Sequence, residues 1–477
     1  MRVLKASVVF MFLIFFGFAT VVSASDNGSY AERKALLTDL ALKHDVPPEI
    51  VKAIAYRETG MRQFDDNGNA VRNLNNDGGI GIMQVTMSAE EMTSKGIDAK
   101  RLESDMAYNI EIGIQILKEK LRYQGIRTPF INNGNDLTKL ESWYFAILAY
   151  NGLEVRNDPL MSTNTYQGRI YQSIRTEGLL HTYPPKSFPV TYRDNSNILY
   201  FENDQLNVEV PDRVMTPSTQ MFEIGEEVYS FNPSRGRINV RVQPDTTSQA
   251  TPVHHITPMR IINGPYHDNV RANHFVFYKV ERLDTGDTGY VASSYLRAGN
   301  PSVFSDIPET NYEMREAVAL LRMRGSVNGY SDGSFGINKP LQRRHAAVIF
   351  VNELGLTLPE NYQPRSTDHE NHSAIIIAEA HGLLTPYEDG TIRPRDSFRR
   401  SQMATVLNRI YGDRFEEPTR NVVFTDIGPT FNGYENINRI AYNNVTAVEG
   451  EAFRPNEAVR RGQFAVFLNR VDDLLKK

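Results

Sequence analysis

The chain has 477 residues, of which 40% are hydrophobic and 23% charged, with a formal net charge of −5 and no cysteine. This length favours several domains, the composition argues against a disordered chain, and the charge argues against nucleic acid, whose phosphates need a basic surface. Without disulfides a secreted chain must be stable through its cores alone, and a lipid-modified N-terminal cysteine is ruled out.

The N-terminus reads as a targeting segment. Arg2 and Lys5 precede an apolar run from Val8 to Val22, and Val22-Ser23-Ala24 fits a small-residue cleavage site. We expect a signal peptide over 1–24. The run is short for a membrane span, and no later stretch is apolar enough to cross, so no integral membrane anchor is expected after cleavage.

Residues 30–182 read as helical. Asp45-Val46-Pro47-Pro48 is a helix start with proline in its first turn. Ile110, Ile114, Leu117 and Leu121 recur at helical spacing, as do Trp143, Ile147 and Tyr150. Residues 183–235 are less legible and read as a linker or extra strands. Over 236–298, Ile238, Val240 and Val242 alternate with polar neighbours before a Pro244-Asp245 turn. Val276, Tyr278 and Val280 alternate again before Asp284-Thr285-Gly286. Short strands so spaced predict a small β-barrel.

The last region repeats internally. Gly329-Tyr330-Ser331-Asp332-Gly333 is echoed by Thr385-Pro386-Tyr387-Glu388-Asp389-Gly390, and Arg343-Arg344 by Arg399-Arg400 and Arg460-Arg461. Phe304-Ser305-Asp306 and Phe424-Thr425-Asp426 open the first and third copies. We place the copies at 303–360, 361–415 and 421–477. Each reads as a helix, an Asp-Gly turn and a second helix starting near the arginine pair, the three sharing a core that one copy could not bury.

Chemistry concentrates in the helical region. Ile50, Ile54 and Glu58 fall at i, i+4 and i+8, which puts Glu58 on an apolar stripe, and Gly60 puts it in the last turn. Burial and the negative end of the helix dipole both disfavour the ionised carboxylate. A carboxyl kept protonated is what glycosidic cleavage requires of a general acid. The plain alternative is a helix-end glutamate paired with Arg57 or Arg62. Asp77-Gly78-Gly79-Ile80-Gly81-Ile82-Met83-Gln84 allows close backbone approach at its glycines, and Ala149-Tyr150-Asn151 supplies a ring, a hydroxyl and an amide suited to a sugar.

In this order, Glu58-Thr59, Gly81-Ile82-Met83-Gln84, Ala149-Tyr150-Asn151 and a later tyrosine resemble the lysozyme-like soluble lytic transglycosylase family. Thr59 stands where the family has serine, and Gly152 follows Asn151 directly where an alanine is usual. The resemblance implies Glu58 as the acid/base, with Thr59, Met83, Gln84, Tyr150, Asn151 and Tyr171 at the substrate. Tyr171 is preferred to Tyr166 for the last motif. No metal and no organic cofactor are implied. Asp65, Asn67 and Asn69 alternate as in a calcium loop, but Ala70 and Asn76 stand where glycine and the bidentate acid belong. The neighbours His254 and His255 point apart on a strand, so neither group is expected to hold a metal.

Arg237-Ile238-Asn239-Val240-Arg241 through Tyr290-Val291-Ala292-Ser293-Ser294-Tyr295 resembles bacterial SH3 domains, and the three copies resemble S-layer homology domains. The latter implies binding to an acidic, often pyruvylated, secondary wall polysaccharide. Arg343, Arg400 and Arg461 match the family's arginine, whose planar fork suits a carboxylate; each could instead brace its own repeat. Glu449-Gly450-Glu451 replaces the Asp-Gly turn in the third copy.

The expected architecture is therefore multidomain: an α-helical lysozyme-like domain, a small SH3-like β-barrel and an α-helical three-repeat domain. The expected partners are peptidoglycan glycan strands and the acidic wall polymer, and the expected place is a secreted, wall- or S-layer-associated one on a Gram-positive-type envelope. The expected reaction cleaves the bond between N-acetylmuramic acid and N-acetylglucosamine with a 1,6-anhydro product. A muramidase using water, or a non-catalytic wall-binding protein, are the alternatives.

Overall fold

Seven helices with their buried stripes facing one another form the N-terminal part of the computed structural model, which describes residues 26–73, 78–134, 136–193, 196–301, 304–370, 372–446 and 449–476. The expected signal peptide lies outside the described residues. Helix α1 (Tyr30–Lys43) opens on a capping box between Ser29 and Glu32. Helix α2 (Pro48–Thr59) starts on proline and ends at Gly60, whose left-handed φ of 66° closes the last turn. Then come α3 (Ala89–Ser94), α4 (Ala99–Ser104), α5 (Met106–Leu121), α6 (Tyr144–Asn151) and α7 (Tyr166–Thr176). Ile50, Ile54, Ile110, Ile114, Leu117, Trp143 and Ile147 are all fully buried, so the residues whose spacing predicted helices are the ones that make the core.

The stretch after α7 is packed onto this domain. Strand β1 (Phe130–Ile131) pairs in parallel with β4 (Asn207–Val208), and β2 (Thr191–Tyr192) pairs with β3 (Leu199–Tyr200). Phe188, Leu199, Phe201 and Met215 are buried in the helical core. The buried Glu141 carboxylate accepts from the Tyr183 amide at 2.7 Å and the Thr216 amide at 2.6 Å. Aromatic residues in a stretch without periodicity are what fasten it.

Seven strands follow: β5 (Glu227–Ser230), β6 (Ile238–Arg241), β7 (Ala250–Val253), β8 (Pro258–Tyr266), β9 (Phe277–Arg282), β10 (Thr288–Ala292) and β11 (Leu296–Ala298). They form one antiparallel sheet in the order β11-β5-β8-β9-β10-β6-β7. Among the described residues no pairing joins β7 to β11, so the sheet is present and a closed barrel is not shown. Ile238, Val240, Tyr278 and Val280 point into its core, while Val242, beyond the end of β6, is 60% exposed.

The C-terminal region is helical. Helices α8 (Tyr312–Met323), α9 (Arg343–Leu354), α10 (Ser373–Ala380), α11 (Arg400–Tyr411), α12 (Tyr434–Tyr442) and α13 (Arg461–Leu475) make three pairs, and the second helix of each begins on the arginine that the repeat aligned. One apolar core spans all three copies. At its centre the backbone closes a ring: Leu341 N donates to Val459 O at 2.8 Å, Val459 N to Phe398 O at 2.8 Å and Phe398 N to Leu341 O at 2.7 Å. Asp306 accepts from the amides of Phe335, Gly336 and Ile337, Asp368 from Ile392 and Arg393, and Asp426 from Phe453 and Arg454. The second copy therefore has the same opening aspartate. The sequence hides it because Ser366 stands where the other copies have phenylalanine.

Candidate active site

Helix α2 delivers Glu58, half-buried in its last turn. Next to it, Thr59 Oγ1 donates to Ile82 O at 3.2 Å and accepts from Arg62 N at 3.0 Å, tying the helix end to the glycine-rich loop. That loop is held from beneath by two buried amides. Gln63 Oε1 accepts from Ile82 N at 3.0 Å, and Asn109 Oδ1 accepts from Met83 N at 3.0 Å. A side chain at Gly81, whose φ is 68°, would run into both amides, which is the physical need for glycine there. Gln84 follows in the left-handed region with φ 48°, a conformation that a loop keeps only when its surroundings fix it.

These elements wall a cleft of about 540 Å³ lined by Glu58, Gln84, Tyr150, Asn151 and Tyr166, with Arg57 at its edge. Tyr166 donates its hydroxyl to Glu58 Oε1 at 2.6 Å. Tyr150 stacks on Tyr166, with ring centroids 6.4 Å apart, and donates its hydroxyl to Met83 O at 2.8 Å. Burial, with the Glu58 charge adding to it, pushes both phenols above their ordinary range, so both stay protonated and act as donors. The Gln84 amide donates to Gly81 O at 2.8 Å, while its Oε1 is buried without a hydrogen-bond partner among the described residues. The other lining carboxylates, Glu91 and Glu119, lie 3.3 and 2.6 Å from Lys95. The arrangement offers one carboxyl oriented by a tyrosine, which suits proton transfer to a ligand in the cleft.

The expected site residues thus divide. Glu58, Gln84, Tyr150 and Asn151 share the cleft. Thr59 is engaged by the loop, and Met83 is fully buried and meets the site through its carbonyl. Tyr171 lies elsewhere: its hydroxyl donates to Leu140 O at 2.8 Å and its ring stacks on Tyr144 in the core. Tyr166 takes the place beside Glu58. Both tyrosines sit on the stripe shared with Ile170 and Ile174, so periodicity cannot separate them. Only the place of Tyr166 at the start of α7, against the end of α2, does. Arg57, which the sequence offered only as an ion-pair partner for Glu58, donates through its Nε to Ser173 Oγ at 2.6 Å.

Asp65 Oδ1 accepts from the Asn67 and Asn69 amides, both at 2.9 Å, as in a polar turn. His255 accepts from Asn232 N at 2.9 Å, and His254 lies 3.0 Å from the Tyr312 hydroxyl, so the two rings serve different partners.

The aligned arginines face inward. Arg343 Nε donates to Ile392 O at 2.7 Å, Arg400 Nε to Phe453 O at 2.6 Å and Arg461 Nε to Phe335 O at 3.0 Å. Each reaches the next copy around the ring, and Arg343 and Arg400 are 3% and 7% exposed. The geometry is that of a brace between repeats. The groove beside the second copy is lined by other cations, Arg393 and Arg395.

Comparison with known proteins agrees with this partition. The family described as "Transglycosylase SLT domain" matches residues 36–168, and the "S-layer homology domain" matches 303–347, 366–404 and 423–465. An S-layer protein of Bacillus licheniformis is 26% identical over 186 residues, which is 38% of this chain and 21% of that protein. An uncharacterized cell wall amidase of Bacillus anthracis is 27% identical over 179 residues, 35% of this chain and 32% of that protein. The S-layer protein EA1 of Bacillus anthracis is 25% identical over 178 residues, 35% of this chain and 20% of that protein. The chain thus spans a third or less of the length of these relatives. Among the described residues no helix is long and apolar enough to cross a membrane. The chain thus carries one region that matches the SLT transglycosylase domain, followed by three regions that match the S-layer homology domain.

Proposed function

We propose that the protein is a secreted lytic transglycosylase that cleaves the bond between N-acetylmuramic acid and N-acetylglucosamine. Glu58 gives its proton to the bridging oxygen. It then takes the proton of the muramoyl C6 hydroxyl as that oxygen attacks C1 and closes a 1,6-anhydro ring. The observation that carries this reading is the Glu58 carboxyl in an open cleft with the Tyr166 hydroxyl 2.6 Å from Oε1. An intramolecular nucleophile needs no second carboxylate to activate water, and the other acids lining the cleft are paired with Lys95. Gln84, Tyr150 and Asn151 would orient the sugars. The repeats would hold the enzyme on an acidic wall polymer, with Arg343, Arg400 and Arg461 setting the spacing of the copies. The seven-stranded sheet fits an SH3-like module in size and strand content. The deciding experiment is mass spectrometry of muropeptides released from sacculi. Anhydro ends support the reading, and reducing ends one water heavier would assign a hydrolase.

A further inference from the structure

Helix α2 has a second face, which contributes nothing to the cleft. Glu49, Lys52, Tyr56 and Gly60 recur along it at i, i+3, i+7 and i+11 and lie against the sheet domain and the segment leading into it. The buried Glu49 carboxylate accepts from Ser218 Oγ and Thr219 N, both at 2.8 Å. Lys52, fully buried, donates to the Gln220 side chain, whose Nε2 donates to His274 O at 3.1 Å. The His274 ring meets Tyr56 edge-on, with centroids 4.7 Å apart. The Arg271 guanidinium lies 5.1 Å over the Tyr56 ring centroid, and a Cβ added at Gly60 would run into it.

The loop that carries Arg271 and His274 is tied to two further helices. The Lys34 ammonium, on α1 and fully buried, donates to Asp268 Oδ1 at 2.8 Å, Val270 O at 2.9 Å and Asn273 O at 2.8 Å. His274 N donates to Glu177 O at 3.0 Å, at the end of α7. One loop of the sheet domain thus touches both α2, which carries Glu58, and α7, which carries Tyr166.

We propose that the loop from Asp268 to His274 is a positioning element of the active site. It fixes α2 against α7 and so sets Glu58 and Tyr166 relative to each other, which makes the sheet domain part of the enzyme rather than a separate wall-binding module. The inference rests on Glu58 and Tyr166 being the working pair. The physical reason is that proton transfer tolerates little misplacement, a 1 Å error being worth on the order of 100-fold in rate.

The test uses the full chain. Arg271→Ala and His274→Ala should each lower kcat about tenfold, a fraction of that limit, with KM for soluble glycan strands little changed. The pH profile of kcat should be displaced, and deuterium exchange over residues 49–60 should rise. His274→Phe should restore kcat. It keeps the ring edge on Tyr56 and removes two ring nitrogens that have no hydrogen-bond partner among the described residues. If His274→Ala fails to fold, Arg271→Ala decides, because that side chain is exposed. A kcat and pH profile equal to the parent's in Arg271→Ala would overturn the proposal, whatever the exchange. Cleavage by Glu58→Gln at the parent's rate would instead remove the catalytic reading. Exchange over 49–60 would then judge the brace alone, raised in Arg271→Ala if the brace exists and unchanged if it does not.

Discussion

The cleft domain and the repeat domain are both helical, and they differ in where their polar side chains end. In the repeats, Arg343, Arg400 and Arg461 close on carbonyls, and Asp306, Asp368 and Asp426 close on backbone amides, three times over. In the cleft domain Glu58 occurs once, faces a cavity and is steered by one tyrosine, beside a glutamine whose oxygen has no hydrogen-bond partner among the described residues. Repeated groups that bond to the backbone of their own domain are architecture. A carboxyl that occurs once and lines a cavity is where chemistry is to be expected.

The hardest test of that contrast is Glu58→Gln. It keeps the shape and removes the transferable proton, so cleavage of sacculi should fall by ~10²–10⁴, while circular dichroism and the melting temperature stay those of the parent. A variant that stays folded and cleaves normally would break the comparison.

Acid should separate the two domains next. Burial, with the Lys52 and Lys34 charges adding to it, lowers His267 to about 2 and His274 well below its ordinary value. In the unfolded chain such imidazoles bind protons below about pH 6.5, and in the folded chain they do not. The unfolded state therefore binds more protons, and stability falls as pH falls from about 6.5 toward 2. Two groups give a slope of up to about 2.7 kcal/mol per pH unit. Burial lowers Lys52 to about 7, which gives stability that rises with pH above that value. Urea midpoints should thus drop between pH 6.5 and 5 for the cleft and sheet domains. They should move less for the repeats, where the histidine that burial lowers, His345, is only half-buried. Equal slopes would mean that the buried histidines do not govern the interface.

Tyr166→Phe and Tyr171→Phe sharpen the contrast within one helix. The first removes a donor to a carboxylate, a bond worth ~1.5–3 kcal/mol, so kcat should fall roughly tenfold to a hundredfold with little change in stability. The second should leave kcat unchanged and cost ~1–3 kcal/mol in denaturant unfolding, because Leu140 O loses its buried donor. The smallest catalytic effect is expected in the repeats. Arg400→Ala strips Phe453 O of its donor and should lower the stability of the repeat domain by ~1–3 kcal/mol. Cleavage of soluble glycan strands should be unaffected. Loss of wall binding at full stability would instead assign this arginine to the polymer.

Much of the molecule was legible in order along the chain. Helical spacing marked Ile50, Ile54 and Glu58 on one stripe because backbone geometry alone fixes which residues share a face. The arginine pairs marked the starts of three helices because a repeated unit must solve the same packing problem each time. What spacing could not supply was partnership between distant residues. Tyr166 and Tyr171 have the same local pattern, and only the crossing of α7 over the end of α2 puts one of them 2.6 Å from Glu58. Arginines that read as cations for a ligand turned inward because the neighbouring copy offers carbonyls at hydrogen-bonding distance. Lys34 and Lys52 look like solvent-facing residues of amphipathic helices, yet both are fully buried against a domain more than 160 residues away in sequence. Local sequence determines which elements form and which residue types they carry. Which polar groups end up satisfied, and which keep bonding capacity for a substrate, is decided only when separate elements meet.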